Sequence, residues 1–178
     1  MLEGIIRESV SRAGTKALRK DGYLIANIYG KGQPNTHCAF KVNDFIRAVK
    51  HKDTLVFPVK VSGKEYRVVI QEYQRDPVTS HLLHVDLMLV QPGVEAQFFI
   101  PIALHGTPKG LKDKGALTIS KKRIKVRCTP EKIPANFPLD IAPLGVGDSL
   151  LIRDIAPVEG VRIIDRDSVA VVGVVKSR

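Results

Sequence analysis

The sequence predicts a mainly β fold in two compact domains, and three observations carry that expectation. Its β-rich runs are short, turn residues separate them about every ten positions, and the pattern restarts after a Gln91-Pro92-Gly93 break. Pro there removes a backbone donor and Gly permits positive φ, so a strand cannot run through. A length of 178 residues suits one large or two small domains. The expected boundaries are 1–91 and 92–178.

Taken in order, Leu2–Ser9 alternates weakly between apolar and polar, and Leu24–Tyr29 is a short apolar run closed by Gly30. Between them, Arg12–Lys20 reads as a basic, Gly-bearing loop. Val42, Phe45, Ile46 and Val49 recur at helical spacing, with Asn43 able to cap and Lys50-His51-Lys52 suited to the negative end of the helix dipole. This is the one segment that reads as a helix. Thr54–Val61 and Tyr66–Gln71 flank Ser62-Gly63-Lys64-Glu65, the pattern of a hairpin. His81–Val90 is a further strand. Beyond the break, strands are expected at Phe98–Leu104, Thr118-Ile119, Arg123–Cys128, Phe137–Ile141, Ser149–Arg153, Val161–Ile164 and Val169–Val175. Ile133–Pro138 holds two prolines, each costing about 3 kcal/mol in a helix interior, so no helix passes through it. The pattern fits a barrel or a sandwich.

Composition narrows the partner. Lys and Arg number 28 against 18 Asp and Glu, a formal charge of +10. The excess is blocked: residues 1–52 carry ten bases and four acids, residues 109–132 nine and two, while residues 133–175 carry three and six. Blocks of cations point to a polyanion, although a solvated basic face would look the same. Apolar residues at 44% can bury a core, and the longest apolar stretches fall far short of the ~20 residues a membrane span needs. No export signal follows Met1, and Cys38 and Cys128 lack CxxC spacing, so a reducing, cytoplasmic setting is expected without disulfide or zinc.

Motifs for catalysis are missing. Gly106-Thr107-Pro108-Lys109-Gly110 lacks the order of a phosphate loop and reads as a surface loop, and no GxSxG elbow occurs. His81 and His84, three apart in a strand, point to opposite faces and cannot share a metal. Neither enzyme activity nor a cofactor is expected. Two segments suit nucleic acid instead. Arg12–Lys20 can project several cations, Lys16, Arg19 and Lys20 among them, toward phosphates. In the strand Leu83-His84-Val85-Asp86-Leu87, inward Leu83, Val85 and Leu87 would bring His84 and Asp86 out together, beside the polar Gln71–Arg75 stretch. An aspartate is repelled by phosphate, so it needs a base amino group or a neighbouring cation.

Arg7, Gly14-Thr15-Lys16-Ala17-Leu18-Arg19-Lys20, Ile28-Tyr29-Gly30, Gln71 with Gln74-Arg75-Asp76-Pro77, and His84-Val85-Asp86 occur in an order that resembles a known family. It is the bacterial 5S-rRNA-binding family of large-subunit ribosomal protein L-twenty-five, in its long form, general stress protein Ctc. The second half is also similar to that form, at Pro101-Ile102, Gly106–Gly110, Lys114-Gly115 and Gly145–Leu150. The resemblance implies an N-terminal six-stranded β-barrel with a few helices, seated on loop E of 5S rRNA in the central protuberance. It implies a second, mostly β domain meeting neighbouring rRNA or ribosomal proteins. Position by position, it implies RNA contacts by Arg7, Arg19, Lys20, Tyr29, Gln71, Arg75, His84 and Asp86, with Lys16 and Ala17 standing where some members carry arginines. Off the ribosome the chain is expected to be a monomer. Two other readings stay open at this point: a tRNA-binding module, since anticodon-binding domains have similar barrels, and a stress-response interaction protein acting off the ribosome through residues 92–178.

Overall fold

A computed structural model of the chain describes residues 2–8, 10–51 and 54–176. Ser9 and Lys52, expected in the first strand and at the end of the helix, lie outside these residues. The chain divides into two compact units that part between Val94 and Glu95.

The first unit comprises β1 (Leu2–Ile6), α1 (Arg12–Lys20), β2 (Tyr23–Gly30), β3 (Gln33–Lys41), α2 (Val42–Lys50), β4 (Val56–Val61), β5 (Lys64–Arg75) and β6 (Leu82–Leu89). The six strands close into a barrel in the order β1-β3-β2-β6-β5-β4. β1–β4 and β2–β6 are parallel pairs and the others antiparallel. Closure gives each strand a neighbour on both sides over part of its length. Alternation decides what lies inside: Leu24, Ala26 and Ile28 of β2, Cys38 and Phe40 of β3, Val59 and Val61 of β4, and Val85 and Leu87 of β6 form one buried cluster. Gly4 makes room for the fully buried Phe40 ring, because a Cβ there would stand 2.5 Å from it.

Two elements here correct the sequence reading. Arg12–Lys20 is a helix and not a loop, because Ser11 caps it: the Gly14 N–H donates to Ser11 Oγ at 3.0 Å. β3 was not anticipated. Its first half, Gln33-Pro34-Asn35-Thr36, has poor strand propensity, and Pro34 is tolerated because β1 pairs only with the far end of β3, at Cys38–Phe40. Smaller differences follow local chemistry. α2 starts after Lys41 with no side-chain cap, so Asn43 sits within its first turn, and Phe45, Val42, Ala48 and Val49 hold it on the barrel. The β4–β5 turn is two residues long, with Ser62 at φ 45° and Gly63 at φ 83°, and Lys64 and Glu65 already pair with β4.

The second unit contains β7 (Ala96–His105), β8 (Gly115–Ile119), β9 (Arg123–Cys128), β10 (Phe137–Asp140), β11 (Ser149–Leu151), β12 (Val161–Ile163) and β13 (Ala170–Lys176). They form a four-stranded sheet, β10-β7-β9-β12, and a three-stranded one, β11-β13-β8. Phe98, Ile100, Ile124, Val126, Phe137 and Leu139 are buried, as are Ile141, Leu144, Val172 and Val174. The expected surface loop at 106–110 is instead a packed corner: Pro108 and Gly110 are buried, and Lys109–Leu111 form a 3-10 turn. Only glycine fits at 110, where a Cβ would stand 2.7 Å from the Val146 nitrogen.

Asp165 ties this unit's basic block down. Its carboxylate lies 2.8 Å from Lys121 Nζ and accepts from the Lys125 N–H at 3.0 Å. Burial pushes its pKa up, but the Lys121 pair and the Lys125 N–H outweigh burial and hold it below the usual carboxylate value. A lowered native pKa gives stability that is present above the unfolded value and lost as pH falls through the native one. Asp165→Asn is therefore expected to lower the urea midpoint at neutral pH, with the gap from wild type closing as pH drops below about 3.9. A gap independent of pH in urea melts would contradict the ion pair's role.

Candidate nucleic-acid interface

Because Leu24, Ala26, Ile28, Val85 and Leu87 face the barrel interior, Asn27, Tyr29, His84 and Asp86 face outward. Strand register then assembles a polar row. Asn27 stands opposite both His37 of β3 and Asp86 of β6, and Asp86 stands opposite Glu72 of β5. One step along, His84 lies between Ile25 and Gln74. His37 Nδ1 and Asn27 Oδ1 are 2.8 Å apart, and His84 Nδ1 lies 3.7 Å from Asp86 Oδ1. Burial, helped by the charges of Arg19 and Arg7 and opposed by Asp86, lowers the His84 pKa. The imidazole is therefore neutral at pH 7, with one donor and one acceptor nitrogen. The Tyr29 phenol is raised by burial first, then by the Asp86 and Glu72 carboxylates.

Helix α1 joins this face by two ties. Arg19 donates to the Leu83 carbonyl from Nε at 3.3 Å and Nη2 at 3.1 Å. Arg7 donates from Nη2 to Thr15 Oγ1 at 2.6 Å, and Thr15 Oγ1 donates to the Ser11 carbonyl at 2.9 Å. The helix turns Thr15 and Leu18 inward and leaves Arg12, Lys16, Arg19 and Lys20 exposed. Ser11→Ala should cost roughly 1 kcal/mol of local stability. Faster amide exchange at Gly14 and Thr15 would show it, and unchanged exchange would deny Ser11 its capping role.

The predicted residues thus fall into three groups. Arg19, Tyr29, His84 and Asp86 lie together, with Lys16 and Lys20 exposed on the adjoining helix. Arg7 is close but is no surface cation: only 8% exposed, it acts from beneath α1, and its Nε has no hydrogen-bond partner among the described residues. Gln71 occupies a β-bulge between Ile70 and Glu72, its Oε1 likewise enclosed and unpartnered. Arg75 stands apart. Its guanidinium lies 5.2 Å from the Tyr73 ring centroid, and Tyr73 pairs with inward Val85, on the face of β5 opposite Glu72 and Gln74. Asn27, His37, Glu72 and Gln74 were not singled out from the sequence, although Asn27 shares the parity of Tyr29 in an otherwise apolar strand.

Other chemistries find little to work with. Among the described residues no three His, Cys, Asp or Glu side chains are grouped to hold a metal ion. Cys38 is pushed up to about 12 by burial, with Arg7 pulling the other way, and Cys128 is raised by burial and by Glu95. Neither thiol is a nucleophile at neutral pH. No helix among the described residues is long and apolar enough to cross a membrane.

Comparison with known proteins agrees across the whole chain. Residues 2–87 match the Ribosomal L25p family, and residues 95–178 match the family "Ribosomal protein TL5, C-terminal domain". The large ribosomal subunit protein bL25 of Wolinella succinogenes is 64% identical over 178 residues, covering all of both chains. The proteins of the same name from Helicobacter hepaticus and Helicobacter pylori strain J99 are 58% and 56% identical over the same span. With a six-stranded barrel followed by a second β unit, and full-length identity of this order, the chain belongs to the ribosomal L25p family, a family of structural proteins and not enzymes.

Proposed function

We propose that the chain is a structural constituent of the large ribosomal subunit in the cytoplasm and binds 5S rRNA at its loop E region through the outward face of the barrel. The observation that carries this reading is the convergence of α1 with the His84–Asp86 strand: Arg19 bonds to the backbone of β6 beside His84, and its charge is felt there. The names of the full-length relatives support the ribosomal part.

The chemistry suits an irregular RNA helix. The A-form major groove is too narrow for side chains, so a protein reads a shallow minor groove or a groove opened by non-Watson–Crick pairs. Lys16, Arg19 and Lys20 hold phosphates, while Tyr29, neutral His84 and Asp86 meet base edges or 2′-hydroxyls. Asp86 accepts only from donors, which a phosphate does not offer and a base amino group does.

Arg19→Ala is expected to weaken 5S rRNA binding and to flatten its logarithmic salt dependence by about 0.7–0.9, the loss of one phosphate contact. An unchanged slope in a filter-binding titration would remove Arg19 from the interface. For the reading as a whole, 5S rRNA should displace labelled 5S rRNA far better than tRNA or a plain duplex does. Equal competition by tRNA would favour an anticodon-type module instead, and a large ribosome-free pool in sedimentation would favour a role off the ribosome.

A further inference from the structure

The second unit carries a cationic sheet face that the barrel reading does not use. In β9, Ile124, Val126 and Cys128 are buried, so Arg123, Lys125 and Arg127 project from the other side of the sheet. Register extends this face across its neighbours. Arg127 is opposite Arg162 of β12 and Gln97 of β7, and Lys125 is opposite Phe99. Phe99 is half-buried there, and the Arg123 guanidinium lies 5.8 Å from its ring centroid. Asp165, whose carboxylate accepts from the Lys125 N–H, is already committed there and to Lys121.

The pair Arg127–Arg162 is informative. Both side chains are exposed, and like charges directly opposite on neighbouring strands destabilise a sheet. Among the described residues neither forms an ion pair that would relieve this. Such a cost is offset when a polyanion spans the pair. The flanking aromatic adds a stacking surface for a sugar or base, a combination common to RNA-binding sheets.

We propose that the Arg123, Lys125, Arg127 and Arg162 face is a second RNA-binding surface, one that takes the phosphate backbone without reading sequence. It goes beyond the 5S rRNA reading and stands on different residues.

The test uses the full chain and a plain, perfectly paired RNA duplex. Arg127→Ala with Arg162→Ala is expected to flatten the logarithmic salt slope by about 1.4–1.8, two phosphate contacts, and to leave the melting temperature equal or higher once the like charges are gone. Arg127→Lys with Arg162→Lys should retain the wild-type slope. A slope that the alanine pair leaves unchanged overturns the proposal, even if that variant leaves the ribosome, because the face would then meet a protein. A slope that the lysine pair loses as well also overturns it, since the arginines would be acting through packing. Arg19→Ala, tested on 5S rRNA, reports on the barrel face separately, so either reading can fail alone.

Discussion

Replacing Phe40 by alanine is expected to destabilise the barrel by about 3–5 kcal/mol, the usual range for a fully buried Phe→Ala change. Phe40 is 0% exposed, sits against Gly4, and has the Phe45 ring 6.3 Å away at 37°. The void would therefore lie where β1, β3 and α2 meet. With total stabilities of roughly 5–15 kcal/mol for ordinary domains, this single change consumes a large share. It should also carry away RNA binding, since α1 is anchored through Arg7 just beyond the end of β1. Urea unfolding of the full chain gives the size of the loss, and amide exchange gives its place, expected in β1–β6 first. A loss below 1 kcal/mol would mean that Phe40 does not occupy the centre of the barrel core.

Asp86→Ala is expected to cost about 1–3 kcal/mol of discrimination between 5S rRNA and a plain duplex, the range for one direct polar base contact. The sign on the plain duplex separates mechanisms. Removing a carboxylate lowers repulsion from phosphate, so duplex binding should hold steady or tighten while 5S rRNA binding weakens. Equal losses on both RNAs would make Asp86 a structural residue, acting through His84 and Tyr29. A concurrent shift is expected at His84, because Asp86 is the group that raises its pKa against burial and the two arginines. Without Asp86 the His84 pKa falls further, which a proton titration by NMR reads directly.

Much of the fold could be read from alternation. Leu24, Ala26 and Ile28, or Val85 and Leu87, are apolar at period two because one side of each strand faces a core, and that pattern is local. What could not be read depends on distant partners. α1 has only Leu18 and two alanines as apolar residues and contains Gly14, so nothing marks a core-facing stripe; its Ser11 cap and its tie from Arg7 supply what propensity lacks. β3 begins with residues that avoid strands, and β2 on one side and β1 on the other give it its ladder. The site divides in the same way. The outward parity of His84 and Asp86 was legible in five residues. The burial of Arg7 was not, since arginine is almost never fully buried unless paired, nor was the enclosure of Gln71, which follows from a bulge.

On the proposed function, α1 and the His84–Asp86 strand form one RNA-binding face. Backbone and His ring resonances of the full chain, followed by NMR during titration with a loop E fragment of 5S rRNA, decide whether they do. The largest changes are expected at Lys16, Arg19, Tyr29, His84 and Asp86, with little at the cleft beside α2 lined by Asp44, Arg47 and His51. Changes concentrated at that cleft, with the α1 and β6 signals unmoved, would overturn this placement of the RNA.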